Sequence, residues 1–286
     1  HGAVGCRGTA RLSSAAATLN SMRIALAQIL SGTDPTANLA LVDEHTRRAA
    51  DAGARLVVFP EATMCRFGVP PAAVAEPLDG RWADGVRGIA AESGITVFAG
   101  MFTPAPDGRV SNTMLATGGG VEAHYDKIHL YDAFGFTESQ TVAPGREPLV
   151  VTVDGVGVGV TLCYDVRFPY LYTELADRGA SVITVSASWG AGPGKLDQWT
   201  LLARARAVDS ACFLAAADQA YPGPELAVKA PTGVGGSLVA SPIGEVLAGA
   251  GPDPELVVCD LDVDSLTTVR DTVGVLRNRI RLRSDL

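Results

Sequence analysis

Short apolar, β-branched runs recur along the chain as "RIALAQI" (23–29), "RLVVFP" (55–60), "ITVFAGM" (95–101) and "NTMLAT" (112–117). Runs of this length and composition predict strands. The stretches 36–52 and 81–93 between them carry helical spacing, so the first half reads β-α-β-α-β-β. A second pass follows in nearly the same order. Strand "VGVGVTL" (156–162) leads to a helix from Pro169 to Arg178, strand "SVITVSAS" (181–188), a helix over 195–210, and strands "CFLAAAD" (212–218) and "GGSLVAS" (235–241). Most of these runs are too apolar for a strand with one solvated face. Two such passes predict two mixed sheets packed face to face with helices outside, an α-β-β-α sandwich. No low-complexity linker divides the halves, so residues 22–286 read as one domain. The Pro/Gly-rich stretches 103–109, 221–233 and 249–255 predict surface loops. Residues 1–21, ahead of the first strand signal at Met22, read as a flexible extension without chemistry.

Composition narrows the partners. The chain has 286 residues, 47% hydrophobic and 19% charged, which describes a globular protein and not a disordered one. Twenty-three basic against 31 acidic residues give a net charge of −8, which repels phosphate backbones and anionic lipid. Nucleic acid and membrane surfaces are thereby excluded as expected partners, and no apolar run approaches the length of a membrane span. The start of the chain lacks the apolar middle of a secretory signal. The five cysteines, Cys6, Cys65, Cys163, Cys212 and Cys259, are odd in number, scattered and without a C-x-x-C pair. That pattern argues against a disulfide framework and for a reducing compartment, the cytoplasm.

Ligands of open α/β sheets gather beyond the carboxyl ends of strands, and three such ends carry reactive side chains: Glu61, Lys127 and Cys163. Glu61 follows Pro60, which ends strand pairing and leaves the carboxylate at the rim. Taken alone, it reads as a structural carboxylate capping the next segment. Lys127 is the single lysine of "HYDKIHLYDAFGFTES" (124–139), flanked by apolar Ile128 and Leu130 and surrounded by carboxylates, a setting that turns an ammonium into a directed charge. Cys163 reads either as a small core residue or as a nucleophile at a strand-to-helix turn, and its place between a strand and Pro169 favours the second. Other signals fail. "GVGVGV" has Val160 where a dinucleotide fingerprint needs its last glycine, and "GAGPGKL" (190–196) lacks the P-loop spacing. His124 and His129, five apart on a loop, make a poor metal pair, so no metal is expected. His129 reads instead as a hydrogen-bonding residue of a pocket or core.

In order and context, "VVFPE", "YDKIHLYDAFGFTES" and "LCYDVRFPYLYTELADRGA" resemble the glutamate, lysine and cysteine signatures of the nitrilase (carbon-nitrogen hydrolase) superfamily. "SASWG" (186–190) and "WTLLARARAVDS" (199–210) are similar to the segments that follow in that family. The likeness covers about residues 22–280 and implies the same α-β-β-α sandwich, often paired into a homodimer or larger homo-oligomer. It implies Glu61 as general base and acid, Lys127 as electrostatic stabiliser and Cys163 as nucleophile, with Glu138 matching the family's second glutamate near the substrate. The resemblance is strongest to the omega-amidase and deaminated-glutathione amidase branch. That branch implies hydrolysis of a small amide to acid plus ammonia through a thioester, without metal or organic cofactor. The Tyr164 backbone N–H is expected to help Lys127 hold the oxyanion. Arg167 is expected either to pair with a substrate carboxylate or to form a structural ion pair with Asp165 or Glu174. A nitrilase, an N-carbamoyl hydrolase and a catalytically silent metabolite-binding protein stand as rival functions of the same fold.

Overall fold

In the computed structural model, which describes residues 21–227 and 230–280, the side chains of each central strand alternate between two different cores. Ile24 and Leu26 of β1 (Ser21–Gln28) point into one apolar layer, while Ala25 and Ala27 point into another that includes Val42 of α1 (Pro35–Asp51). The same division runs through β2 (Leu56–Val58), whose Val57 packs with Trp82 and Val86 of α2 (Arg81–Ser93). Three more strands follow, β3 (Thr96–Pro104), β4 (Val110–Gly118) and β5 (Val121–Asp126).

The second half opens with β6 (Leu149–Val153) and β7 (Val156–Leu162) and continues through α3 (Pro169–Asp177), β8 (Val182–Ala187), α4 (Lys195–Ser210) and β9 (Phe213–Asp218). A four-residue helix α5 (Pro224–Ala227), strands β10 (Leu238–Ala240), β11 (Val246–Gly249) and β12 (Glu255–Asp262), and helix α6 (Ser265–Val273) complete the described elements. The strands form two six-stranded sheets, ordered β12-β1-β2-β3-β4-β5 and β11-β10-β9-β8-β7-β6, so that β12 from the second half returns to pair with β1. In both sheets the middle strands pair in parallel and the flanking ones antiparallel. Val158, Val160 and Leu162 of β7 meet Leu26, Val58 and Phe98 in the layer between the sheets, with α1 and α2 outside one sheet and α3 and α4 outside the other. The architecture is the expected α-β-β-α sandwich of two mixed sheets.

The glycines of "VGVGV" (156–160) have a packing role. A Cβ on Gly157 would lie 2.2 Å from the Gly179 carbonyl oxygen, and one on Gly159 would touch Leu175 at 3.2 Å. Their absence of side chains lets the chain leaving α3 lie directly on β7, which fixes the turn between them.

The expected α2, α4 and β7 coincide with the observed bounds. Strands β5, β6, β11 and β12 and helix α6 were not signalled: β5, β12 and α6 mix charged and apolar positions, as in "VEAHYD" and "ELVVCDLD", while β6 and β11 are short, at five and four residues. His124 is therefore on a strand and not on a loop. The stretch 221–233 is also more than a surface loop, since Ala230 and Thr232 are buried. The flexible extension expected over 1–21 lies outside the described residues except for Ser21, which begins β1. Among the described residues, no helix is long and apolar enough to cross a membrane.

Candidate active site

Beyond strand ends of both sheets lies a cavity of about 290 Å³, whose lining includes Glu61, Lys127, Glu138, Cys163, Tyr164 and Arg167. All six site residues expected from sequence thus converge. Lys127 follows the last residue of β5, and its backbone N–H bonds Asn112 O at 2.9 Å, so the strand pairing of β4 and β5 sets the position of the side chain. Its Nζ donates to Glu61 Oε1 at 2.9 Å and to Glu138 Oε2 and Oε1 at 2.9 and 3.1 Å. Lys127 is 2% and Glu61 0% exposed, which makes this a buried bridge and not a surface ion pair.

Three strands hold Glu61. The Ser188 amide, just beyond β8, donates to Oε2 at 3.0 Å, and Asn112 Nδ2 of β4 donates to Oε1 at 2.8 Å. The Gln219 side chain beyond β9 donates to the Glu61 carbonyl at 3.1 Å. Gly100 of β3 makes room for the chain around it, because a Cβ there would stand 2.8 Å from both Pro60 O and Ala62 N. Glu138 comes from a 3-10 turn and is clamped by the Tyr131 amide at 2.6 Å and by Asn112 Nδ2 at 3.2 Å.

Cys163 follows β7 with φ of +42°, a left-handed conformation that costs a non-glycine residue energy and aims its side chain away from the strand direction. Asp165, in the same 3-10 turn (Cys163–Arg167), is the clamp that holds it. Its buried carboxylate accepts from the Leu162 amide at 2.9 Å, Tyr125 Oη at 2.7 Å, and the His129 amide and Nδ1 at 3.0 and 2.7 Å. His129 also bonds the Tyr170 hydroxyl and stacks on Phe168 at 3.7 Å between ring centroids. The segment after β5 is thereby tied to the segment after β7, which brings Lys127 and Cys163 into one site.

Electrostatics follow from the burial. Burial is the largest influence on Glu61 and raises its carboxyl above the ordinary range, against the pull of Lys127 and with the push of Glu138. Burial, and then the charge of Glu61, hold the Cys163 thiol well above ordinary cysteine. The thiol is therefore neutral at rest and hydrogen-bonded to the Glu61 carboxylate. Burial opposes the charge of Lys127, yet Glu138 and Glu61 outweigh it and keep the ammonium well above the usual lysine range. A carboxyl acceptor, a neutral thiol and a fixed cation together are equipped for acyl transfer at sulfur.

Arg167 makes neither expected structural ion pair. Asp165 is used by His129 and Tyr125, and Glu174 pairs with Arg178 at 2.8 Å. Its guanidinium lies among rings instead, 5.1 Å from Trp189 and 5.9 Å from Tyr164.

Several site residues had not been singled out in the sequence. Asn112 spans both glutamates, and its lone amide in the apolar run of β4 was an available signal. Asp165 stood inside the cysteine signature. Asp218 was not marked either: at the end of β9, its buried carboxylate takes the Trp189 and Val234 amides at 2.8 Å each, and burial drives the carboxyl well above its ordinary range. Lys195 also lines the cavity and had no motif to mark it.

The carbon-nitrogen hydrolase family model matches residues 23–271. A Mycobacterium tuberculosis hydrolase is 67% identical over 267 residues, covering 90% of this chain and 95% of the relative. The deaminated glutathione amidase of Escherichia coli O157:H7 is 32% identical over 238 residues, covering 81% of this chain and 87% of that protein. Among solved structures, an amidase from Nesterenkonia sp. superposes with a TM-score of 0.75 at 32% identity, over 88% of this chain and 95% of that one.

Proposed function

The chain belongs to the carbon-nitrogen hydrolase family and is a hydrolase of carbon–nitrogen bonds, and on that premise we propose that it is a cysteine amidase acting on a small carboxylate-bearing amide. The observation that carries the proposal is the convergence of Cys163, Glu61 and Lys127 on one cavity, with Lys127 Nζ 2.9 Å from Glu61 and fixed there by Glu138, also at 2.9 Å.

In this reading Glu61 takes the thiol proton as sulfur attacks the amide carbon, and the oxyanion that forms is met by Lys127 Nζ and the Tyr164 N–H. Tyr164 follows the nucleophile in the first turn of a 3-10 helix, where N–H groups have no intrahelical acceptor. Such donors are worth about 3 to 4 kcal/mol each in acyl-transfer sites. Glu61 returns the proton to the departing nitrogen and ammonia leaves a Cys163 thioester. Water, deprotonated by Glu61, then attacks the thioester; the acid departs and the thiol recovers its proton. Glu138 holds the ammonium of Lys127 in place through the cycle. Arg167, with its charge unmatched by any carboxylate among the described residues, pairs with the carboxylate of the substrate's acyl part.

The reading extends to the setting of the protein. A cytoplasmic location fits the four described cysteines, all free. Self-association fits apolar side chains left exposed on α3, α4 and the β10–β11 turn: Tyr170, Leu201, Val208 and Ile243. Sedimentation velocity checks this last point, and a monomer at micromolar concentration removes it.

The central test is intact-protein mass spectrometry during turnover of a panel of ω-amides, with parallel ammonia detection. The expected result is an acyl adduct that maps to Cys163, is absent from Cys163→Ala, and accompanies ammonia. No adduct and no ammonia across the panel removes the amidase reading and directs attention to nitriles and carbamoyl compounds.

A further inference from the structure

At the floor of the cavity the cation is paired with carboxylates, because Lys127 stands between Glu61 and Glu138. One wall is built differently. Arg167 and Lys195 both line the cavity, and neither makes an ion pair with a carboxylate among the described residues. Arg167 Nη2 bonds only a neutral acceptor, Gln198 Oε1 at 3.2 Å, and its buried Nε has no hydrogen-bond partner. The Lys195 ammonium lies 3.8 Å from the centre of the Phe134 ring and 6.0 Å from that of Trp189. Arg167 shares both rings, at 5.8 and 5.1 Å. Two cations are therefore gathered on the same two aromatic faces without a counter-charge. Ring faces compensate a cation only in part, so such a wall attracts an anion.

The backbone beneath Lys195 is firm. Its carbonyl accepts from Trp189 Nε1 at 3.0 Å and its amide donates to Gly192 O at 3.1 Å, at the first residue of α4. The ammonium thus extends from a fixed base to the face of Phe134. Burial and the nearby Arg167 both disfavour its charge, a cost that a bound carboxylate relieves.

We infer that Lys195 is a specificity-determining residue which, with Arg167, forms a two-cation seat for the carboxylate at the far end of the substrate's acyl chain. The inference rests on the proposed amidase function for what happens at the other end of that chain. It adds a second point of attachment, so the site selects monoamides of short dicarboxylic acids over uncharged aliphatic amides of equal length. A carboxylate has two oxygens, one for each cation.

The test is calorimetric binding of glutaramate and of pentanamide, which has the same chain length without the carboxylate, to the full chain carrying Cys163→Ala to prevent turnover, alone and with Lys195→Met or Lys195→Arg. The parent is expected to bind glutaramate at least about tenfold more tightly than pentanamide, as for a charge-assisted pair. Lys195→Met should lose most of that preference while binding pentanamide within about twofold of the parent, and Lys195→Arg should retain it. The inference is overturned if the parent binds both ligands alike, or if Lys195→Met keeps the preference. A parallel loss of both ligands in Lys195→Met makes the residue structural and overturns the inference as well. Ammonia release from glutaramate is scored separately, so a failure of the amidase reading and a failure of the two-cation seat are told apart.

Discussion

Replacing Lys127 by methionine removes the cation between the Glu61 and Glu138 carboxylates while nearly keeping the length and apolar volume of the side chain. Nζ makes three contacts of 2.9 to 3.1 Å, to Glu61 and Glu138, which are 0% and 11% exposed. Removing one partner of a buried ion pair costs about 3 to 5 kcal/mol, because the remaining charge is left unpaired. The lower end applies here. Glu61 keeps the Ser188 amide and Asn112, and Glu138 keeps the Tyr131 amide and Asn112, so neither carboxylate is bare. A loss of about 3 kcal/mol corresponds to a fall in Tm of roughly 6 °C or more in a domain of this size.

The loss should also depend on pH, with a sign that can be worked out. Burial already raises Glu61, and loss of the ammonium raises it further. A carboxyl whose folded pKa is raised contributes stability that is complete below its unfolded value of about 4.3 and is lost as pH rises through the folded one. Urea unfolding of Lys127→Met should therefore show its largest deficit near about pH 8 and a smaller one near about pH 5, relative to wild type at each pH. Adding Glu138→Gln should recover part of the deficit at the higher pH. A deficit below about 1 kcal/mol at pH 8, or one equal at both pH values, would refute the buried-bridge account, since exposed pairs contribute only that much.

Three further outcomes follow from the same geometry. The acid limb of kcat/KM for a turned-over amide should lie above the ordinary glutamate range, because Glu61 must be ionised to accept the thiol proton and burial raises its pKa; a limb at or below about 4.3 counts against it as the base. Asp165→Asn keeps one acceptor oxygen where four donors converge, so a stability loss of about 2 to 4 kcal/mol in urea titration and a fall in kcat larger than any change in KM are expected; an unchanged urea midpoint refutes the clamp. Gly100→Ala forces a Cβ to 2.8 Å from Pro60 O and Ala62 N, so thermal unfolding should shift down by the equivalent of about 1 to 3 kcal/mol of overpacking, and kcat should fall with the displaced Glu61. Wild-type Tm and kcat in that variant would show that the strand has slack the distances deny.

The sandwich was legible because its inner strands are buried on both faces and therefore read as apolar runs whatever surrounds them. The helices 81–93 and 195–210 were legible to the residue because their spacing is uninterrupted and they end at Gly94 and Ala211, both left-handed. Strands at or near sheet edges escaped notice. "VEAHYD" and "ELVVCDLD" present one face to solvent or helix, and their charged positions break the apolar run. The order Glu61, Lys127, Cys163 is visible in the chain because each residue sits in a local signature at a strand end. What tertiary structure decided is everything that depends on meeting across the two sheets. Asn112 lies between Glu61 and Glu138, Asp165 is shared by His129 and Tyr125, and Arg167 and Lys195 reach the same pair of rings. Those contacts join residues as far apart as 61 positions in the chain, as Phe134 and Lys195 are, and a local pattern carries no information about partners that only closure of the fold makes neighbours.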